Sequence, residues 1–181
     1  MAASRKTSES APLYLIALGS NRRHHKHGAP ESVLRAALAA LDKKKLAVVA
    51  ASRIIASAPL GPSQRRYANA AALISFAGDP PELLKRLKRI EQRFGRRRGG
   101  QRWGARVLDL DVALWQGGAW VSPALTVPHI GFRERRFVLG PARSIAPRWR
   151  DPLTGLTLAQ LHARLTKPWP LRRGRGRSEG P

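Results

Sequence analysis

The sequence predicts an α+β domain with a mixed or antiparallel sheet, helices on one or both of its sides, an extra hairpin and a C-terminal helix. Three observations predict it. Apolar residues alternate between short runs and helical stripes in the order strand, helix, strand, strand, helix, strand. Two of those strands follow each other with no helix between them, so the sheet cannot be all parallel. The chain has 181 residues and is 43% hydrophobic, enough for one real core. Helices packed on a single sheet face are the natural arrangement of these elements.

Each element has a local reason. Leu13 to Leu18 is an apolar run ended by Gly19-Ser20-Asn21, which marks a buried strand. Pro30 opens a helix with Val33, Leu34, Ala37, Leu38 and Leu41 on one face. Leu46 to Ser57 is β-rich and runs into a Pro59-Leu60-Gly61-Pro62 loop, and Tyr67 to Ala77 is the next strand. Asp79-Pro80-Pro81-Glu82 is a helix start, with Asp as cap, Pro at the first position and Glu closing a capping box. Leu83, Leu87, Ile90 and Phe94 form the inner stripe of that helix, and Glu91 lies at its edge. Arg106 to Trp115 is a strand, and Gly117-Gly118 turns it back into Ala119-Trp120-Val121. Phe137 to Ile145 is a short helix containing Pro141.

The charge is one-sided. Thirty-four Lys and Arg face 11 Asp and Glu, a net charge of +23. Ten of the basic residues lie between Lys85 and Arg106, with Glu91 as the one acid among them. Such a balance points to an anionic partner. Residues 1–12 and 167–181 read as tails, the second basic, around a folded body at 13–166. Cysteine is absent, which excludes disulfides and thiolate metal sites. No apolar run approaches the roughly 18 residues that cross a bilayer, and the first residues carry no apolar signal core. A cytoplasmic protein is the expectation.

The sharpest chemical signal is Val107-Leu108-Asp109-Leu110-Asp111-Val112-Ala113-Leu114. Strand alternation puts Leu108, Leu110, Val112 and Leu114 on the core face and Asp109 with Asp111 on the other. Their Cα atoms then lie roughly 6.5–7 Å apart. Two like charges at that spacing call for a cation between them, and Mg²⁺ takes one or two carboxylates plus substrate phosphates. Pairing of both with nearby arginines is the alternative. Just before them, Gly95 to Arg106 is a glycine-rich loop whose arginines match phosphate oxygens. Trp103 adds a flat face for a base or a cation, and a generic nucleic-acid-binding loop reads the same way. Tyr67 and Asn69 share a strand face, and an aromatic ring beside an amide suits a flat heterocycle. His129 follows Pro128 and is able to bind phosphate, relay a proton or be structural. His24, His25 and His27 sit in a basic loop with no carboxylate or cysteine nearby, so a solvated loop is expected there rather than a metal site.

Taken together, these stretches resemble the 6-hydroxymethyl-7,8-dihydropterin pyrophosphokinase family of folate biosynthesis. The resemblance rests on Ala17-Leu18-Gly19-Ser20-Asn21, on Pro59-Leu60-Gly61-Pro62 with Tyr67 and Asn69, and on Ile90-Glu91 with Gly95-Arg96. Arg102-Trp103-Gly104-Ala105-Arg106-Val107-Leu108-Asp109-Leu110-Asp111 is its most specific part. Val127-Pro128-His129 and Arg135-Arg136-Phe137-Val138-Leu139 complete it, and Ile130 departs from the aromatic or proline usual after the histidine. The resemblance implies a ferredoxin-like βαββαβ core. It implies transfer of pyrophosphate from ATP to the hydroxymethyl group of the pterin. It implies catalytic roles for Arg96, Arg106, Asp109 and Asp111, with two Mg²⁺ held by Asp109 and Asp111. ATP would be bound by Glu91, Arg98, Arg102, Trp103, Arg106, His129 and Arg135. The pterin would meet Gly61, Tyr67, Asn69 and Phe137. The expected partners are these small molecules, with no specific nucleic acid and no membrane, and a monomer is expected. The alternatives are a nucleic-acid-binding ferredoxin-like module, and an inactive or altered-acceptor paralogue.

Overall fold

The computed structural model describes residues 11–43, 45–58, 66–95 and 106–167. The strands are β1 (Leu13–Ser20), β2 (Ala47–Ala51), β3 (Ile55–Ser57), β4 (Tyr67–Ser75) and β5 (Asp109–Trp115). They form one sheet in the order β2-β4-β1-β5, with β3 also on β4, and every pairing is antiparallel. With β2 and β3 taken as one broken strand, this is the ferredoxin-like order. The break has a local cause. Ser52 Oγ accepts from the Ala71 N–H at 2.9 Å, and the Ser52 N–H donates to the Ala71 carbonyl at 2.9 Å, so the edge strand pauses on its own hydroxyl.

Helices α1 (Pro30–Leu41) and α2 (Pro80–Arg93) cover one sheet face. Asp79 caps α2 by accepting from the Glu82 N–H at 2.8 Å. Leu83, Leu87, Ile90 and Phe94 are buried along the α2 stripe. They meet Tyr14, Ile16, Leu18, Leu108, Leu110 and Val112 from the sheet.

Three expectations are corrected. Helices do not lie on a single face. Helices α3 (Arg136–Ile145) and α4 (Leu158–Thr166) pack on the other side, over Leu15, Ala71, Ala113 and Leu114. Leu114 is the second correction. It leaves the face of Leu110 and Val112, because the β1–β5 register shifts between Leu15 and Ile16 and the extra residue, Ala113, reverses the alternation. The third is the hairpin. A turn does form, with Gly118 at φ 102° and its N–H donating to the Trp115 carbonyl at 3.1 Å. The segment after it, β6 (Trp120–Ser122), pairs forward with β7 (Leu125–Val127) rather than back onto β5.

The second sheet face is therefore only half covered. Helices α3 and α4 seal the end near Leu15 and Leu114. The end carrying Gly19, Asn69 and Asp109 stays open.

Candidate active site

The open half of that face is built in cross-strand rows. Gly19 on β1 stands opposite both Asn69 on β4 and Asp109 on β5, and Ala17 opposite Ala71 and Asp111. Residues directly opposite in a ladder share a face, so the centre of the floor carries only a hydrogen atom and a methyl group. Polar side chains rise on both flanks. The outcome is a cavity of about 410 Å³ lined by Tyr67 and Asn69 on one flank, Arg106, Asp109 and Asp111 on the other, and His129, Arg135 and Phe137 above. Eight residues singled out in the sequence are thus brought together.

The carboxylate flank is organised by charge. Arg106 Nη1 donates to Asp109 Oδ2 at 2.6 Å. Burial works to lower the Arg106 pKa, but Asp109 first, then Asp111 and Glu91, raise it above its ordinary value. The guanidinium is a fixed cation in this site. Asp111 has its pKa raised, by burial first and then by the Asp109 charge, against the lowering pull of His129, Lys88 and Arg135. A second cation beside the pair would relieve that cost. Both carboxylates offer hard oxygen donors, and among the described residues no three His, Asp or Glu side chains are arranged to hold a metal ion by themselves. Two carboxylates with the remaining positions left to water and phosphate match Mg²⁺ chemistry.

His129 is held by its main chain, whose N–H donates to the Ala113 carbonyl at 3.1 Å. Its Nδ1 accepts from the Gly131 N–H at 3.2 Å. In the neutral ring the proton is then on Nε2, which faces Asp111 Oδ2 at 3.9 Å. That gap exceeds a hydrogen bond, so Nε2–H is available to an anion in the cavity. Gly131 also seats Arg135, because a β-carbon there would lie 2.8 Å from Arg135 Nε. On the opposite flank, Asn69 Nδ2 donates to Ser57 Oγ at 2.8 Å, which fixes the orientation of the amide.

Two buried residues support the site from behind. Asn21 Oδ1 accepts from the Arg106 N–H at 2.7 Å, and the Asn21 N–H donates to the Arg106 carbonyl at 3.1 Å. The end of β1 thereby pins the start of the carboxylate strand. Glu91 has a fully buried side chain and does not line the cavity. Its Oε1 accepts from the N–H of Leu110, the residue between the two aspartates, at 2.8 Å, and its Oε2 lies 3.1 Å from Lys88 Nζ. Its side chain thereby positions the aspartate strand. Asn21 appeared only as the end of a motif, and Ser57 as the end of a β-rich run. Strand-end polar residues that are 3% exposed or half-buried mark a second layer of this kind.

Gly61, Arg96, Arg98, Arg102 and Trp103 lie outside the described residues, as do most of the two predicted tails. The basic loop is solvated as expected at Arg22, Arg23, His25 and Lys26, which are exposed, but His24 is buried and the three histidine rings pack together. His24 is 7% exposed, its ring centroid lies 4.3 Å from His25 and 4.7 Å from His27, and His27 stacks on Phe94 at 4.9 Å. His24 Nδ1 accepts from the Lys26 and His27 N–H groups. Its pKa is lowered by burial first and then by its basic neighbours. No helix among the described residues is long and apolar enough to cross a membrane.

Known proteins are similar to this chain. The family described as 7,8-dihydro-6-hydroxymethylpterin-pyrophosphokinase matches residues 15–147. A relative from Synechocystis, named 2-amino-4-hydroxy-6-hydroxymethyldihydropteridine pyrophosphokinase, is 41% identical over 120 residues, covering 65% of this chain and 61% of its own length. Relatives of the same name from Pseudomonas aeruginosa and Bacillus subtilis are 39% and 35% identical, covering 76% and 84% of this chain and 82% and 89% of their own lengths. Among solved structures, a Plasmodium falciparum protein described as HPPK-DHPS superposes with a TM-score of 0.66 at 11% identity, over 87% of this chain and 45% of that one. Another HPPK-DHPS, in complex with substrates, gives 0.69 at 11% identity over 86% and 45%. At that identity the superpositions speak for the fold alone, and this chain spans about half of those larger proteins. With the family match covering most of its described body, the chain belongs to the 7,8-dihydro-6-hydroxymethylpterin-pyrophosphokinase family.

Proposed function

We propose that the chain carries out its family's reaction in folate biosynthesis. The β,γ-pyrophosphoryl group of ATP passes to the hydroxymethyl oxygen of 6-hydroxymethyl-7,8-dihydropterin. The oxygen forms its bond to the β-phosphorus, the bond from that phosphorus to the α-phosphate oxygen breaks, and AMP leaves as the hydroxyl proton is released. One observation carries this reading: a single cavity holds a carboxylate pair with its arginine on one flank and an aromatic–amide pair on the other.

Each flank has a task. Tyr67 and Phe137 offer apolar ring faces to the flat pterin, and Asn69 reads its edge with an amide that Ser57 orients. Arg106, Arg135 and His129 Nε2–H supply donors for the polyphosphate. Asp109 and Asp111 would hold two Mg²⁺, which when bound offset the charge on the phosphates. Little covalent help is needed, since positioning and charge neutralisation dominate phosphoryl-type transfer. The arginines and tryptophan at 96–103 are proposed to complete the nucleotide side. The catalytic unit is proposed to span 13–166, to act as a monomer and to work in the cytoplasm.

Incubation with ATP, Mg²⁺ and the hydroxymethyl pterin should release AMP and pterin diphosphate. Release of ADP, or no turnover, would overturn the assignment. The floor gives a second expected result. A β-carbon on Gly19 would meet only Asn69 Oδ1, at 3.7 Å. Gly19→Ala should therefore be tolerated, whereas Gly19→Val should raise KM for the pterin about tenfold or more by filling space the ring needs, roughly 1.4 kcal/mol or above. Equal KM values for the two variants would show that the pterin does not lie over β1.

A further inference from the structure

The C-terminal third of the fold carries a charge pattern that pyrophosphoryl transfer does not use. Between Arg136 and Lys167 there is one acid, Asp151, and it is fully buried against Arg133. The same segment carries six cations: Arg136, Arg143, Arg148, Arg150, Arg164 and Lys167. All six are exposed, and none makes an ion pair among the described residues. They share the outer surface of α3, α4 and the loop joining them. Arg136 Nη2 reaches the Leu165 carbonyl at the far end of α4, at 3.0 Å. Arg150 Nη1 donates to the Gly155 carbonyl, in the loop before α4, at 2.8 Å. His162, between them, is lowered in pKa by burial first and then by the charges of Arg143 and Arg136, which puts those side chains in one neighbourhood. A helix of nine residues is only about 13 Å long. Arg136 and Arg143, seven residues apart, share one side of α3, and the six cations of these elements lack, among the described residues, acidic partners that would offset their repulsion. The sequence adds Arg172, Arg173, Arg175 and Arg177, interleaved with glycine, directly after this surface.

We propose that the α3–α4 face is a docking surface for the phosphate backbone of single-stranded RNA, separate from the catalytic cavity. Several features favour that partner. Exposed arginines of one sign neutralise a phosphate chain and release its counterions. The arginine–glycine run that follows in the sequence has the composition of segments that track single strands without reading sequence. A lipid surface fits less well, because Leu153 is the one large apolar side chain exposed on this part of the fold, and one residue gives little to insert. Sequence preference is not expected, since among the described residues no exposed aromatic ring accompanies the cations to stack on bases.

The test uses the full chain and a labelled oligouridine, with affinity measured across a salt series in the presence of Mg²⁺, with and without saturating ATP. The comparison is the triple variant Arg143→Gln, Arg148→Gln, Arg164→Gln. None of these three side chains lines the cavity or makes a hydrogen bond or ion pair among the described residues. The expected result is a log–log salt slope smaller in magnitude by about 2, at about 0.7 per lost phosphate contact, with AMP release unchanged. The matching triple Arg→Lys variant should keep the wild-type slope, which separates charge from folding damage. An unchanged slope in the Gln variant would overturn the proposal. So would displacement of the RNA by ATP, which would move the polymer into the cavity. Charge-dependent binding to phosphatidylserine vesicles with no RNA binding would overturn it in favour of a membrane surface.

Discussion

Replacing Asp111 by Asn should lower turnover roughly 10³-fold or more, about 4 kcal/mol in the barrier, while leaving the protein at least as stable as before. The first half follows from the cavity. Asp111 is one of the two carboxylates on the polyphosphate side, and an amide neither carries its charge nor holds a hard cation as well. The second half follows from the electrostatics. Burial and then Asp109 raise the Asp111 pKa, so without a cation its ionised form is a cost to the fold. For an acid whose folded value lies above its unfolded value, that cost is present at higher pH and disappears below the unfolded value. Asn removes it. Melting curves without Mg²⁺ should therefore show no loss for Asp111→Asn, and the AMP assay should show a large one. A variant with near wild-type turnover would remove Asp111 from the catalytic set. A variant that melts well below wild type would show the carboxylate to be structural.

The largest expected effect on stability lies elsewhere. Asp151 is fully buried, and Arg133 meets it as a fork, Nε to Oδ2 and Nη2 to Oδ1, both at 2.7 Å. Thr154 Oγ1 donates at 2.6 Å and the Leu153 N–H at 3.2 Å. The guanidinium also lies over Phe132, 4.8 Å from the ring centroid. Asp151→Ala strands that guanidinium and should cost about 3–5 kcal/mol, which for a chain of this size lowers the melting midpoint by roughly 10 °C. Burial alone would raise the Asp151 pKa, but the bonds from Arg133, Thr154 and Leu153 outweigh it and bring it below its ordinary value. This contribution is therefore full above the unfolded value of about 3.9 and fades as pH falls through the lower folded value. Wild type should lose stability below about pH 4, and the variant should show a shallower acid limb. Parallel acid limbs would show the bridge to contribute nothing.

What the sequence made legible depended on range. Asp109 and Asp111 were found by two-residue periodicity, which is local and needs no partner. The Asp79 cap and the buried stripe of α2 were legible for the same reason. Glu91 was singled out, but its partner is a backbone N–H nineteen residues away, and backbone groups leave no mark in a sequence. Asp151 went unnoticed, although a lone acid in a stretch of six cations is a signal that it is held. The forward pairing of β6 was hidden because Gly117-Gly118 does turn the chain, and a turn alone does not choose the partner strand.

The extra residue at Ala113 has a consequence for how the two ends of β5 tolerate change. It acts as a phase boundary. Upstream, the aspartates and their intervening leucines are in step with α2. Downstream, Leu114 is in step with α4. With Leu114 held, one residue inserted between Asp111 and Ala113 would throw the carboxylates to the helix side and abolish chemistry without touching the second core. Removing Ala113 itself would straighten the strand but leave both pairings intact: Leu114 would follow Val112 directly and stay beneath α4, and Asp109 and Asp111 would keep their places.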